Sequence, residues 1–147
     1  MPTVIYADAS YDRYKQQAGI CVVITRYKHG HKPISERFQT RVESNDSNLA
    51  ELQAVLYGVQ QLKDDDKNVI ILTDNKNVRQ IIKRPNREEY AGNRSEFGLA
   101  IRKLLDGYSD RKYRVYHIKG HTDFKGKHYK NQQWCDTNAR KILRKER

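Results

Sequence analysis

Three acidic residues, Asp8, Glu51 and Asp74, stand where chain geometry can bring them together. Asp8 follows Val4 and Tyr6 in a period-two run, and Asp74 follows Ile70 and Leu72 in another, so each carboxylate keeps the phase of its strand. Both are expected at strand ends. A strand–helix–strand excursion that returns beside the first strand makes the two parallel and delivers both carboxylates to one sheet edge, where open α/β sheets bind ligands. Glu51 shares a helical row with Val55 at the border of an apolar face and can turn towards that edge. Taken singly, each has an ordinary reading as a turn, cap or solvated residue. Converged, they repel one another unless a cation intervenes. Such an oxygen-only set suits Mg²⁺ or Mn²⁺ rather than Zn²⁺, and two such ions could activate a water and stabilise the leaving oxygen of a phosphodiester.

The elements that must position these groups follow from the apolar period. Residues 3–7, 19–27 and 34–42 read as strands of an antiparallel meander, with residues 10–17 as the first turn and 29–33 as the second. The period then changes: Leu49, Leu52, Leu56 and Val59 recur at three and four residues, which marks an amphipathic helix from about 47 to 62 that Asp46 or Ser47 can cap. Residues 63–67 read as a solvated loop, and 69–72 as a buried strand. A helix over 76–83 ends before Pro85, a polar loop spans 84–94, and a second helix runs over 95–107. A fifth strand covers 111–119, a basic loop 120–130, and a final helix starts near Asn131.

Five segments in this order resemble type 1 ribonuclease H. They are Ile5-Tyr6-Ala7-Asp8-Ala9-Ser10, Asn48-Leu49-Ala50-Glu51-Leu52-Gln53-Ala54, Leu72-Thr73-Asp74-Asn75, Ile118-Lys119-Gly120-His121 and Cys135-Asp136-Thr137-Asn138-Ala139-Arg140. Each motif alone is weak, but five in register over almost the whole chain are specific. The resemblance implies a single ribonuclease H-like α/β domain over residues 1–147. Its mixed five-stranded sheet would join a three-strand antiparallel meander to two parallel strands, flanked by helices. It makes Asp8, Glu51, Asp74 and Asp136 the metal-binding carboxylates, for two Mg²⁺ ions that Mn²⁺ can replace. It makes His121 the histidine that assists proton transfer or product departure. Without it, Asp136 reads as a surface partner of Arg140, four residues on.

By the same resemblance the chain is an endonuclease that hydrolyses the RNA strand of RNA–DNA hybrids, leaving 5′-phosphate and 3′-hydroxyl ends. Glu51 and Ser47 or Asn48 would lie near the RNA 2′-hydroxyls. Lys76, Asn93, Arg94, Lys127 and Lys130 are the candidate contacts to the nucleic-acid backbone. Some positions depart from the family pattern. Ala9 replaces the usual glycine after the first aspartate, Lys76 stands where glutamine is common, and the interval from His121 to Asp136 is lengthened around residues 127–130. Two rival readings are a DNA nuclease or resolvase on the same fold and a catalytically silent hybrid-binding module.

Composition agrees with a polyanionic partner. Lys and Arg number 29 against 18 Asp and Glu, a formal charge of +11, and each Lys or Arg that neutralises a phosphate releases a counterion. The apolar runs are too short to cross a bilayer, and the start lacks the basic-then-apolar pattern of a secretory leader. The expectation is a cytoplasmic monomer with no membrane association and no obligate protein partner. Cys21 and Cys135 have no zinc-ligand spacing and read as buried free thiols.

Overall fold

The computed structural model describes residues 2–85, 94–107, 110–118 and 129–144. Its strands are β1 (Pro2–Asp12), β2 (Gln17–Arg26), β3 (Ile34–Glu43), β4 (Asn68–Thr73) and β5 (Lys112–His117). The helices are α1 (Ser47–Gln60), α2 (Lys76–Lys83), α3 (Arg94–Asp106) and α4 (Tyr129–Arg144). The sheet order is β3-β2-β1-β4-β5, with β1–β2 and β2–β3 antiparallel and β1–β4 and β4–β5 parallel. The mixed five-stranded sheet inferred from the sequence is therefore the one that forms.

Two helical layers cover the sheet because its central strands are apolar on both faces. Ile5, Val22, Ile24 and Ile71 pack beneath Leu52, Val55 and Val59 of α1, Ile81 and Ile82 of α2, and Ile101 and Leu105 of α3. Val4, Tyr6, Cys21, Val23 and Leu72 point the other way and meet Cys135 and Ala139 of α4. The contact of α4 is close enough to require glycine: a Cβ on Gly19 would lie 2.1 Å from the Ala139 carbonyl oxygen.

Four expectations are corrected. Residues 10–17 are not a turn, and Asp8 does not end its strand. The β1–β2 pairing runs from Thr3↔Arg26 to Asp12↔Gln17, which confines the reversal to residues 13–16. Polar residues are accommodated because residues 9–12 are only half-buried and lie past Tyr6↔Leu72, the last partners of β1 and β4. Nor is 63–67 simply a solvated loop. Asp66 is buried and receives Arg26 Nε and Nη2 at 2.9 and 3.0 Å, the Thr3 hydroxyl at 2.7 Å and the Lys63 N–H at 2.8 Å. Arg111 donates to the Asp66 and Lys63 carbonyls at 2.8 Å each. This cluster ties the α1–β4 connection to the end of β1 opposite Asp8. The final helix also begins earlier than expected, at Tyr129, so Lys130 belongs to α4 rather than to the loop.

Candidate active site

The projection of β1 past β4 creates the site. Beyond Tyr6, β1 has no β4 partner, and the Ala9 N–H turns to carboxylates instead of a strand. It donates to Asp8 Oδ1 at 2.9 Å and to Glu51 Oε1 at 3.2 Å. Asp74 immediately follows the end of β4, on the sheet face shared with Leu72. One oxygen from each of Asp8, Glu51 and Asp74 lies within 4.8 Å of the others. Two parallel strands and one helix thus bring to one point three acids separated by tens of residues.

The local sequence fixes each carrier. Asp46 caps α1 by accepting the Leu49 N–H at 2.7 Å, which sets the phase that brings Glu51 to the sheet edge. Asn75 caps α2 by accepting the Asn77 and Val78 N–H groups, and its side-chain amide donates to Asn48 Oδ1 at 2.8 Å. The starts of α1 and α2 are therefore locked together beside the carboxylates. On the far side of Asp74, a ring nitrogen of His117 lies 3.2 Å from the Asp74 carbonyl oxygen.

The electrostatics are those of crowded, dehydrated acids. Burial pushes Asp8 from 3.8 up to about 7, and the Asp74 charge adds to the shift, while the Ala9 hydrogen bond opposes it. Burial likewise holds Glu51 well above the usual carboxylate range, reinforced by the Asp8 and Asp74 charges. Asp136 contributes to the field on Asp8 from outside the 4.8 Å group. It is half-buried and pairs with Arg140 at 3.1 Å. Burial also raises both thiols, Cys21 to about 12 and Cys135 further still. They stay protonated at neutral pH, so cysteine nucleophilic chemistry is not available here. Both are buried and unbridged, as expected.

The residues fit a divalent cation. Glu51 Oε2 is buried with no hydrogen-bond partner among the described residues, an expensive condition for a carboxylate oxygen. The donor set is all oxygen and carries three potential negative charges. A hard divalent ion satisfies both conditions at once.

Other expected residues divide into three groups. Ser47 and Lys76 are exposed at the first positions of α1 and α2, and Lys130 is exposed on α4. Asn48 is engaged with Asn75, and Arg94 pairs with Asp46 at 3.1 Å, joining the start of α3 to the cap of α1. His121, Asn93 and Lys127 lie outside the described residues. The sequence reading missed the parts played by Asn75, His117 and the Ala9 N–H. For Asn75 a signal existed, since an asparagine just before a helix is a capping residue.

A family model described as RNase H matches residues 1–144. The chain belongs to the RNase H family. Membership makes it a ribonuclease and a hydrolase, in agreement with the acidic cluster. No curated protein matches the chain. Among solved structures, the PFV RNase H domain is 18% identical, covers 95% of this chain and 93% of its own, and superposes with a TM-score of 0.74. RNase H1 from the archaeon Halobacterium salinarum is 14% identical over 99% of both chains, with a TM-score of 0.73. LC11-RNase H1, solved in complex with an RNA/DNA hybrid, is 14% identical over 97% of both chains at 0.70. At such identities, these likenesses establish the RNase H fold.

Proposed function

We propose that this RNase H domain is a divalent-metal endonuclease that cuts the RNA strand of RNA–DNA hybrids and leaves 5′-phosphate and 3′-hydroxyl ends. The observation that carries the reading is the convergence of Asp8, Glu51 and Asp74 within 4.8 Å in a chain of the RNase H family. Asp8 and Asp74 would hold the cations most directly, with Glu51 and Asp136 completing the set. When bound, Mg²⁺ or Mn²⁺ would supply a Lewis acid that activates the attacking water and stabilises the leaving oxygen.

The chain's own residues do the rest. The Ala9 N–H orients Asp8 and Glu51 without neutralising them. The Asn48–Asn75 bond fixes the starts of two helices beside the acids, and Glu51 with Ser47 or Asn48 would read the RNA 2′-hydroxyls. Lys76, Asn93, Arg94, Lys127 and Lys130 would hold phosphates, and His121 would assist proton transfer or product departure. Residues 1–147 would act as one domain and as a monomer.

Incubation of end-labelled RNA–DNA hybrid, duplex DNA and duplex RNA with Mg²⁺, with Mn²⁺ and with EDTA tests the reading. Cleavage confined to the RNA strand of the hybrid, abolished by EDTA, is expected. Hydrolysis of duplex DNA at a comparable rate would favour the DNA-nuclease reading. Tight hybrid binding without cleavage in either metal would favour the silent module.

A further inference from the structure

Beside the carboxylate edge, β5 forms one wall of a cavity of about 290 Å³ whose lining includes Arg79, Lys83, Arg102 and Arg114 together with Tyr113 and Tyr116. Two of the cations are fixed by the fold. Arg79 Nε donates to the Val115 carbonyl at 3.1 Å, and Arg102 stacks over Tyr113 at 5.8 Å while donating to the Ile82 and Lys83 carbonyls. The other two, Lys83 and Arg114, are exposed, as is Tyr116. Asp106 offsets part of the charge through Arg102 at 3.1 Å and the Tyr113 hydroxyl at 2.9 Å.

Four cationic residues line one small cleft, and an anion along it relieves their mutual repulsion. The cleft also lies next to the catalytic edge. Tyr116 is followed by His117, whose ring touches the Asp74 carbonyl, and residues 115 to 113 continue roughly 7 to 13 Å down β5 from His117. A cleft of this size takes the phosphates and bases of one strand and not a duplex. Charge lined with tyrosine is the pattern of single-strand binding.

We propose that this cleft receives single-stranded nucleic acid continuing from the hybrid, with phosphates on Lys83 and Arg114 and a base against Tyr116. The substrate named here rests on the hybrid reading above, whereas the charge and shape of the cleft do not.

The test compares a blunt hybrid with the same hybrid carrying a single-stranded tail of roughly eight nucleotides on either strand. Affinity is read by fluorescence anisotropy in EDTA. Wild-type protein should prefer a tailed probe on the order of tenfold. The Lys83→Ala, Arg114→Ala double variant should lose that preference and flatten the salt dependence of tailed-probe binding by about 1.4 in log–log slope. Its blunt-hybrid affinity and melting temperature should match wild type, because both side chains are exposed. Equal wild-type affinity for tailed and blunt probes would overturn the proposal, and so would a preference that survives the double variant. Displacement of the tail by polyglutamate as readily as by single-stranded DNA would assign the cleft to acidic protein and also overturn it. Blunt-hybrid cleavage in Mg²⁺, run in parallel, separates the two readings. Cleavage without tail preference removes the cleft proposal alone, and tail preference without cleavage removes the catalytic reading alone.

Discussion

Asp8 shows what crowding acids without metal costs. Its carboxyl is raised from 3.8 to about 7 by burial and by Asp74, so between those values the native state holds a proton that the unfolded chain has released. Fewer protons on the unfolded side means that stability from this group falls as pH rises through that window and levels off above it. The melting-temperature advantage of Asp8→Asn over wild type in EDTA should therefore grow from about pH 4 to about pH 7. Saturating Mg²⁺ should shrink it, because the ion binds the deprotonated form. A pH-independent difference would contradict the assigned environment. At this scale the sequence was readable where periodicity carried the information: Asp8 and Asp74 keep strand phase, and Glu51 keeps a helical row. It was unreadable where a partner lies far along the chain. His117 reaches Asp74, and Arg26 reaches Asp66, through pairings that exist only once the sheet is assembled. Asp136 has no periodic mark of its own and became visible only through resemblance.

Elements hold the acids in place, and two contacts carry much of that work. Gly19 lets α4 lie directly on β2. An alanine there would place its Cβ 2.1 Å from the Ala139 carbonyl oxygen, forcing α4 outward at a cost of about 1–3 kcal/mol. Because α4 also bears Asp136, Gly19→Ala should lower both the denaturation midpoint in urea and the apparent affinity for Mg²⁺. Normal values of both would show that α4 tolerates displacement. The Asp66 cluster anchors the opposite end of the sheet. Burial alone would raise this carboxyl, but the Arg26 hydrogen bonds, the Lys63 N–H and the Thr3 hydroxyl outweigh it and hold the group below its ordinary value. Its contribution is therefore present above the unfolded carboxylate range and is lost as the medium becomes more acid. Asp66→Ala, which takes two hydrogen bonds from Arg26 and leaves Glu36 as its carboxylate partner, should cost about 1.5–3 kcal/mol at neutral pH, with a smaller penalty in acid. Chemical denaturation at the two pH values checks both statements. The run Lys63-Asp64-Asp65-Asp66-Lys67 hid this role because three consecutive aspartates look alike in sequence. Only the return of the chain beside Arg26 and Arg111 distinguishes Asp66. Strand limits were similarly hidden: polar residues 10–12 suggest a turn, yet pairing with β2 extends them as strand.

For the molecule as a whole, a charge of +11 directs it to phosphates, and hybrid affinity should fall linearly with salt on logarithmic axes. Replacing exposed Lys130 with alanine should reduce the slope by about one phosphate contact if it meets the backbone, and an unchanged slope would place it away from substrate. Charge nevertheless brings many proteins to nucleic acid without cleaving it. Cleavage needs more than charge: the converged carboxylates would perform metal-dependent hydrolysis. The most direct measurement follows RNA-strand cleavage of a saturating labelled hybrid in Mg²⁺ by wild type and by Asp74→Asn. The substitution is nearly isosteric and removes one of the charges that raise Asp8, so the variant should fold with equal or greater stability in EDTA. Its cleavage should fall to background while hybrid binding persists. Cleavage by a folded Asp74→Asn protein at near wild-type rate would contradict the assignment of this cluster as the catalytic centre.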